Sequence, residues 1–91
     1  MAQWIAGKVL KVKHGADRKL QKIAADIDVA WIVARHGISI FFKIRMKDKK
    51  EIIAFCAEEN MAKYFTIVPM HDKMPFVSGP LKDARLFPDQ F

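Results

Sequence analysis

The sequence contains a single cysteine, Cys56, so no disulfide can form within the chain. This excludes the class of small secreted domains that are stabilised by internal disulfides. The sequence also lacks an apolar run of the roughly 18 residues that a membrane span requires. Lys8, Lys11 and Lys13 interrupt the apolar N-terminus, which is therefore expected to be neither a signal peptide nor an anchor. We expect a cytoplasmic protein with no membrane contact.

Proline is missing from most of the chain, because all four prolines lie in the last quarter of the sequence. The glycines are single, and no linker divides the 91 residues, which predicts one domain over residues 1–91. Because proline blocks helix interiors and central strands, residues 69–91 are expected to be a wrapping tail outside the sheet. A short helix capped by Ser78 is predicted within this tail. Residues 1–68 would then form the α+β core.

Acidic residues are scarce in the first half of the chain. Lysine and arginine outnumber aspartate and glutamate by 16 to 10, which gives a net charge of +6. Residues 1–50 hold twelve basic and four acidic residues, whereas residues 51–91 hold four basic and six acidic residues, so balances of +8 and −2 give the total. Such a directed field attracts nucleic acid, an anionic membrane surface or an acidic protein. The plainer interpretation is that the charges only keep a small domain dispersed.

The strongest helical pattern follows Asp17, a suitable N-cap. Apolar residues then recur at spacings of three and four, at Leu20, Ile23, Ala24 and Ile27. We favour a helix that runs to Arg35, with Gly37 as its left-handed C-cap. The alternative is that the helix ends near Asp28 and that residues 29–34 form a buried strand, since this segment is rich in β-branched residues.

Period-two alternation is clearest over residues 38–47, where apolar and polar side chains take opposite faces of a strand. Residues 4–13, 51–57 and 66–68 are the other predicted strands, and residues 58–65 are predicted to form a short helix. The predicted fold is therefore α+β: a curved antiparallel sheet of three to four strands, packed on one main helix, with an irregular proline-rich C-terminal tail.

The outward face of strand 38–47 carries the most specific functional signal. Lys43, Arg45 and Lys47 alternate on this face, about 6.8 Å apart, which is close to the phosphate spacing of an extended nucleic-acid strand. Phe41 precedes them on the same face and offers a base a stacking surface. A structural interpretation is equally open, since lysines on a solvent-facing strand also discourage edge-to-edge pairing.

Further cations could extend this face into a ridge. The turn after the strand contributes Lys49 and Lys50. Arg35, Lys11 and Lys13 would join the ridge if the first strand paired with strand 38–47. These nine residues are the predicted nucleic-acid contacts: Phe41, Lys43, Arg45, Lys47, Lys49, Lys50, Arg35, Lys11 and Lys13.

Other chemistries have weaker signals. A helix-turn-helix at residues 34–39 would need an apolar residue where Lys43 stands, and period-two alternation also opposes it. The histidines and Cys56 show no metal-ligand spacing, so no metal or other cofactor is expected. Cys56 has apolar neighbours and is predicted to be a small core residue. His14 or His36 with a tyrosine or arginine could serve a metal-independent ribonuclease.

The segment Phe41-Phe42-Lys43-Ile44-Arg45, a polar turn and Glu51-Ile52-Ile53-Ala54-Phe55 resembles the central hairpin of the small bacterial mRNA-cleaving toxins of the RelE type. The resemblance covers residues 41–55 alone. These toxins usually place two helices before that hairpin, whereas this sequence has room for one. A toxin-like ribonuclease is what the resemblance would imply.

The leading hypothesis is a small non-enzymatic protein that contacts nucleic acid or a nucleoprotein through its cationic hairpin, of the kind that phages and mobile elements encode. The alternative from another class is an inhibitor or antitoxin-type module that recognises an acidic protein partner. The ribonuclease is the third hypothesis. A homodimer is compatible with each of them, because a small domain that exposes Phe41 or its tail aromatics gains by hiding them.

Overall fold

The computed structural model describes residues 4–13, 18–68 and 81–91. These residues form one six-stranded sheet, two short α-helices and one 3-10 turn at Leu81–Asp83. The elements are β1 (Val9–Val12), α1 (Arg18–Ala25), β2 (Ile27–His36), β3 (Ser39–Met46), β4 (Glu51–Ala57), α2 (Glu58–Tyr64), β5 (Phe65–Ile67) and β6 (Arg85–Leu86). The strand order across the sheet is β5-β1-β2-β3-β4-β6.

The predicted fold class was wrong in the size and kind of the sheet. The sheet has six strands instead of three or four, and two short helices accompany it instead of one main helix. It is mixed, because β6 runs parallel to β4 while the other neighbours are antiparallel. The tail therefore adds a strand to the sheet, at its edge, where few main-chain hydrogen bonds are needed.

The favoured long helix was also wrong, since residues 29–34 belong to β2, the alternative that the sequence had left open. Ala30, Trp31 and Ile32 are all at most 1% exposed, because this central strand is covered on both faces. A strand buried on both faces loses its period-two pattern. Register shifts beside Asp28 and Val33 disturb the pattern further and leave apolar spacings that imitate a helix.

The glycine that was read as a helix cap has a different use. Gly37 does take a left-handed conformation, with φ of 60°, but it lies in the turn between β2 and β3. A left-handed residue suits both a helix end and a tight hairpin. The predicted left-handed conformation of Gly37 is therefore confirmed, but the predicted helix end is wrong.

The core lies on one face of the sheet. Ile40, Phe42 and Ile44 alternate along β3 and are fully buried there, which confirms the predicted strand. The predicted helix after β4 is also present as α2, and its Met61 is fully buried. β5 lies at the sheet edge, as predicted.

Cys56 is a core residue, as predicted. It is 1% exposed, and its Sγ lies 3.2 Å from Sδ of Met61. Burial raises the pKa of this thiol to about 12, so the thiolate does not form near neutral pH. In the part of the chain that the structure describes, no helix has the length and apolar character needed to cross a membrane.

The end of the tail is anchored in the core through Phe87, which is 2% exposed. Its ring lies 5.0 Å from that of Phe65 and 5.6 Å from that of Phe42, centroid to centroid. Phe91 packs edge-on against the same ring at 5.2 Å. Residues 81–91 of the tail pack on the domain, and Arg85–Leu86 joins the sheet instead of lying outside it. The helix predicted to begin at Ser78 lies outside the described residues.

Replacing Phe87 with alanine tests this anchor. We expect Phe87→Ala to lower the free energy of unfolding by about 3–5 kcal/mol, since it leaves a cavity among aromatic rings. Leu86→Ala is the neighbouring control; Leu86 is 39% exposed, and its loss should cost under about 1 kcal/mol. Urea unfolding measures both values, with Phe87→Leu as a milder variant if the alanine form does not fold. Equal costs at positions 86 and 87 would show that the tail is not part of the core.

Candidate nucleic-acid interface

The second face of the sheet, here called the outer face, lies opposite the core, and three of its rows of cross-strand neighbours form the candidate site. The first is an apolar row of Ala34, Phe41, Phe55 and Leu86. The middle row is Val9, Trp31, Lys43 and Ile53. The charged row is Val29, Arg45 and Glu51. The outer face therefore changes from apolar to ionic along the strand direction.

Phe41 does share the outer face with Lys43 and Arg45, as strand alternation requires. Its ring stacks on that of Phe55 with the centroids 5.4 Å apart and the planes 28° from parallel. The His36 ring packs edge-on against Phe41, also at 5.4 Å. Two neighbours thus cover part of the Phe41 ring, which leaves it only partly exposed to a base.

Glu51 holds the two cations of β3. Its carboxylate lies 3.0 Å from Nζ of Lys43, and it accepts hydrogen bonds from Arg45, with Nε and the NH2 nitrogen each at 3.0 Å. The hydrogen bonds from Lys43 and then Arg45 lower the pKa of Glu51 below its usual value of 4.5. One carboxylate against two cations leaves a single positive charge here, which is less than the sequence predicted for this strand.

Trp31 lies beneath this cluster. The guanidinium carbon of Arg45 is 5.3 Å from the centroid of the Trp31 ring, a cation–π contact. Trp31 is 1% exposed, and its indole Nε1 is buried without a hydrogen-bond partner among the described residues. The sequence did not place a buried tryptophan on this face of a sheet, because residues 29–34 had been assigned to a helix.

Arg35 does not join the predicted ridge. It lies at the end of the sheet where β2 turns into β3, and both of its terminal nitrogens donate to the carboxylate of Glu58 at the start of α2. Such a bidentate ion pair is a strong, charge-assisted contact. Arg35 therefore fastens the hairpin to α2 at the end of the sheet opposite the lysine turn.

The antiparallel topology gathers most of the remaining cations at one end of the sheet. Ile27, at the start of β2, pairs with Met46 at the end of β3, and the Lys47 amide donates to the Asp26 carbonyl at 2.9 Å. β1 is antiparallel to β2, so its C-terminus points to the same end. We call this the basic end; its exposed cations are Lys11, Lys13, Lys47, Lys49 and Lys50.

Helix α1 adds three exposed cations to the basic end, Arg18, Lys19 and Lys22, because it connects the end of β1 with the start of β2. Asp26, Asp28 and Asp48 are the described carboxylates that balance them. Eight cations thus face three carboxylates. None of the eight forms an ion pair with another described residue, and Lys13 donates from Nζ to the Ala62 carbonyl at 3.0 Å.

Sequence reasoning found five of these eight cations and missed the three on α1. Lys11 and Lys13 were predicted to join the ridge if the first strand paired with residues 38–47. Instead, β1 pairs with β2 and β5. The two lysines reach the same end of the sheet through strand direction instead. Placing them there from the sequence would have required both the strand at residues 29–34 and its antiparallel pairing with β1.

The turn itself has a defined shape. The Lys50 amide donates to the Asp48 carboxylate at 3.0 Å, and the Lys49 amide donates to the Met46 carbonyl at 2.8 Å. Lys49 takes a left-handed φ of 73°. These contacts fix the backbone of the lysine turn, so Lys47, Lys49 and Lys50 extend from a structured scaffold.

The described residues show no constellation for a metal ion. They contain no group of three histidine, cysteine, aspartate or glutamate side chains placed to hold a metal ion. His36 is exposed and packs against Phe41. His14, the other histidine considered for a ribonuclease, lies outside the described residues, as does His71.

Comparison with protein-family models, curated proteins and solved structures finds no match to this chain. The likeness of residues 41–55 to a toxin hairpin is therefore not extended by any wider similarity. In the described residues one helix, α1, and the strands β1 and β2 precede that hairpin, which departs from the two helices that the toxins usually have.

The lowered pKa of Glu51 predicts how its ion pairs respond to acid. Because the pKa is lower in the folded than in the unfolded chain, the pairs contribute stability above the unfolded value of about 4.5, and this stability is lost as the pH falls through the folded value. Glu51→Gln should therefore lower the free energy of unfolding at neutral pH, and its difference from the original chain should shrink in acid.

Urea unfolding across this pH range measures the difference. Glu59→Gln is the matched control, since Glu59 is exposed on α2 and has no ion pair with another described residue. The free energy of unfolding of Glu59→Gln should differ little from that of the original chain at every pH. A Glu51→Gln difference that stays constant into acid would contradict the account of the cluster.

Proposed function

We propose that this chain is a non-enzymatic binding protein that contacts nucleic acid, or a nucleoprotein, through the basic end of its sheet. The observation that carries this proposal is the convergence at one end of the sheet of β1, α1 and the lysine turn, whose described residues and immediate neighbours bring eight exposed cations against three carboxylates. Polyanion affinity grows with the number of phosphates that lysine and arginine neutralise, since each contact releases counterions. We place this activity in the cytoplasm, with no cofactor.

The outer face beside the basic end supports the same function. Arg45 is 38% exposed and lies between the lysine turn and the middle row. A strand of nucleic acid that follows β3 away from the turn would pass Arg45 and then reach the apolar row. Partly exposed aromatic rings such as Phe41 and Phe55 favour contact with unstacked bases, which single strands offer more readily than duplexes.

Charge reversal at the turn is the most direct test. Lys49→Glu with Lys50→Glu should weaken binding of a labelled single-stranded oligonucleotide about 10- to 30-fold at 0.15 M salt, since each lost phosphate contact costs roughly four- to sixfold there. The slope of log affinity against log salt should fall by about two. Lys43 and Arg45 are less suitable targets, because reversing them would also break the pairs with Glu51.

The control carries the same change of net charge elsewhere. Lys8→Glu with Arg85→Glu alters two cations outside the basic end, one just before β1 at the opposite end of the sheet and one on the edge strand β6. This variant should keep nearly the original affinity and salt slope. An equal loss of affinity in both double variants would mean that net charge alone drives binding. If the original chain is not retained on polyanions at physiological salt, the proposal fails.

A specific observation favours the second candidate, an inhibitor or antitoxin-type module with an acidic protein partner. Ile38 is 75% exposed in the β2–β3 turn, and Leu86, which is 39% exposed, lies opposite the partly exposed Phe55. Exposed apolar and aromatic side chains are typical anchors of protein interfaces. Purification from the native host after nuclease treatment separates the candidates: a stoichiometric acidic protein that remains bound favours the module, whereas bound nucleic acid in untreated samples favours the leading proposal.

A further inference from the structure

Three kinds of hydrogen-bond donor lie in or beside the cluster around Glu51. Lys43 contributes an ammonium group, Arg45 contributes a guanidinium group, and the buried indole N–H of Trp31 has no acceptor among the described residues. Trp31 and Lys43 are directly opposite each other on β2 and β3, and Arg45 lies over the Trp31 ring. All three side chains therefore occupy one small area of the outer face.

A buried donor without an acceptor costs free energy, about 1–3 kcal/mol in typical cases. Proteins rarely retain such groups without a reason, and an incoming acceptor is one such reason. The other donors are charged and the ammonium group is largely shielded, since the Lys43 side chain is only 12% exposed. Such surroundings favour an anion over a neutral acceptor.

We propose that Trp31, Lys43 and Arg45 form a phosphate subsite that Glu51 occupies and that a backbone phosphate of nucleic acid takes over by displacing it. This inference rests on the proposed function and deepens it. The Glu51 side chain is 33% exposed, so its carboxylate is accessible from solvent, and it comes from β4 while the cations come from β3. A backbone phosphodiester carries one negative charge and two non-bridging oxygens, like a carboxylate, so it can replace Glu51 on the same charged donors.

Glu51 therefore competes with any anion that binds to Lys43 and Arg45. Any anion that enters must first replace the contacts of Glu51 with Lys43 and Arg45. Glu51→Gln removes this competition and should increase affinity for inorganic phosphate roughly fivefold, which corresponds to about 1 kcal/mol for ion pairs of this exposure. The same substitution at Glu59 should leave affinity unchanged, because Glu59 lies on α2, away from the cluster.

The test uses the full chain labelled with ¹⁵N, in which the two tryptophans give two indole N–H signals. Trp4→Phe assigns the Trp31 signal. Inorganic phosphate is titrated at constant ionic strength into the original chain, Glu51→Gln and Glu59→Gln. We expect a saturable downfield shift of the Trp31 indole proton, with tighter binding in Glu51→Gln only. Arg45→Gln should weaken the phosphate response, and it provides a second variant if Glu51→Gln does not fold.

A second titration with a single-stranded oligonucleotide separates this inference from the proposed function. If the oligonucleotide binds at the lysine turn but neither ligand moves the Trp31 indole signal, the subsite is overturned and the proposed function stands. If phosphate moves that signal saturably but the oligonucleotide does not bind, the anion subsite is supported and the proposed function fails. Equal phosphate affinity in all three chains would overturn the role given to Glu51.

Discussion

The alternation of side chains along β3 is the constraint on which the rest of the structure depends. Ile40, Phe42 and Ile44 are fully buried on the core face, so Phe41, Lys43 and Arg45 must take the outer face. A shift of one residue would place two cations in the core and is therefore strongly disfavoured. Burial of three apolar residues thus fixes the position of the charged cluster.

The electrostatics of the molecule arise from two levels of structure. Strand pairing brings Glu51 opposite Arg45 and so neutralises part of the charge on β3. Strand direction then brings the turn after β3, the end of β1 and helix α1 to the same end of the sheet, where cations exceed carboxylates. The strongest positive region is therefore at the turns, although the most regular charge pattern in the sequence lies on the strand.

The sequence was informative wherever one face of an element meets water. The alternation of β3 and the inward Met61 of α2 could be predicted for that reason. It was misleading for β2, because Ala30, Trp31 and Ile32 are buried on both faces and two register shifts disturb the period. That one misassigned segment reduced the predicted strand count and hid the position of Trp31.

Long-range pairing was the other limit. Nothing local marks Arg85–Leu86 as a strand parallel to β4, since two residues carry too little pattern. Similarly, the partners of the candidate cations depend on residues far away in sequence, such as Glu58 for Arg35. Residue types could nominate the cations of a site, but only the register could show which of them are already paired.

Mapping where a short single-stranded oligonucleotide changes the backbone amide signals of the ¹⁵N-labelled chain tests the central claim most directly. Our account predicts the largest changes at residues 47–50, along β1 at Lys11 and at Arg45, and little change at the start of α2. Changes confined to the start of α2 and the β2–β3 turn would contradict it, because they would place the contact at the opposite end of the sheet.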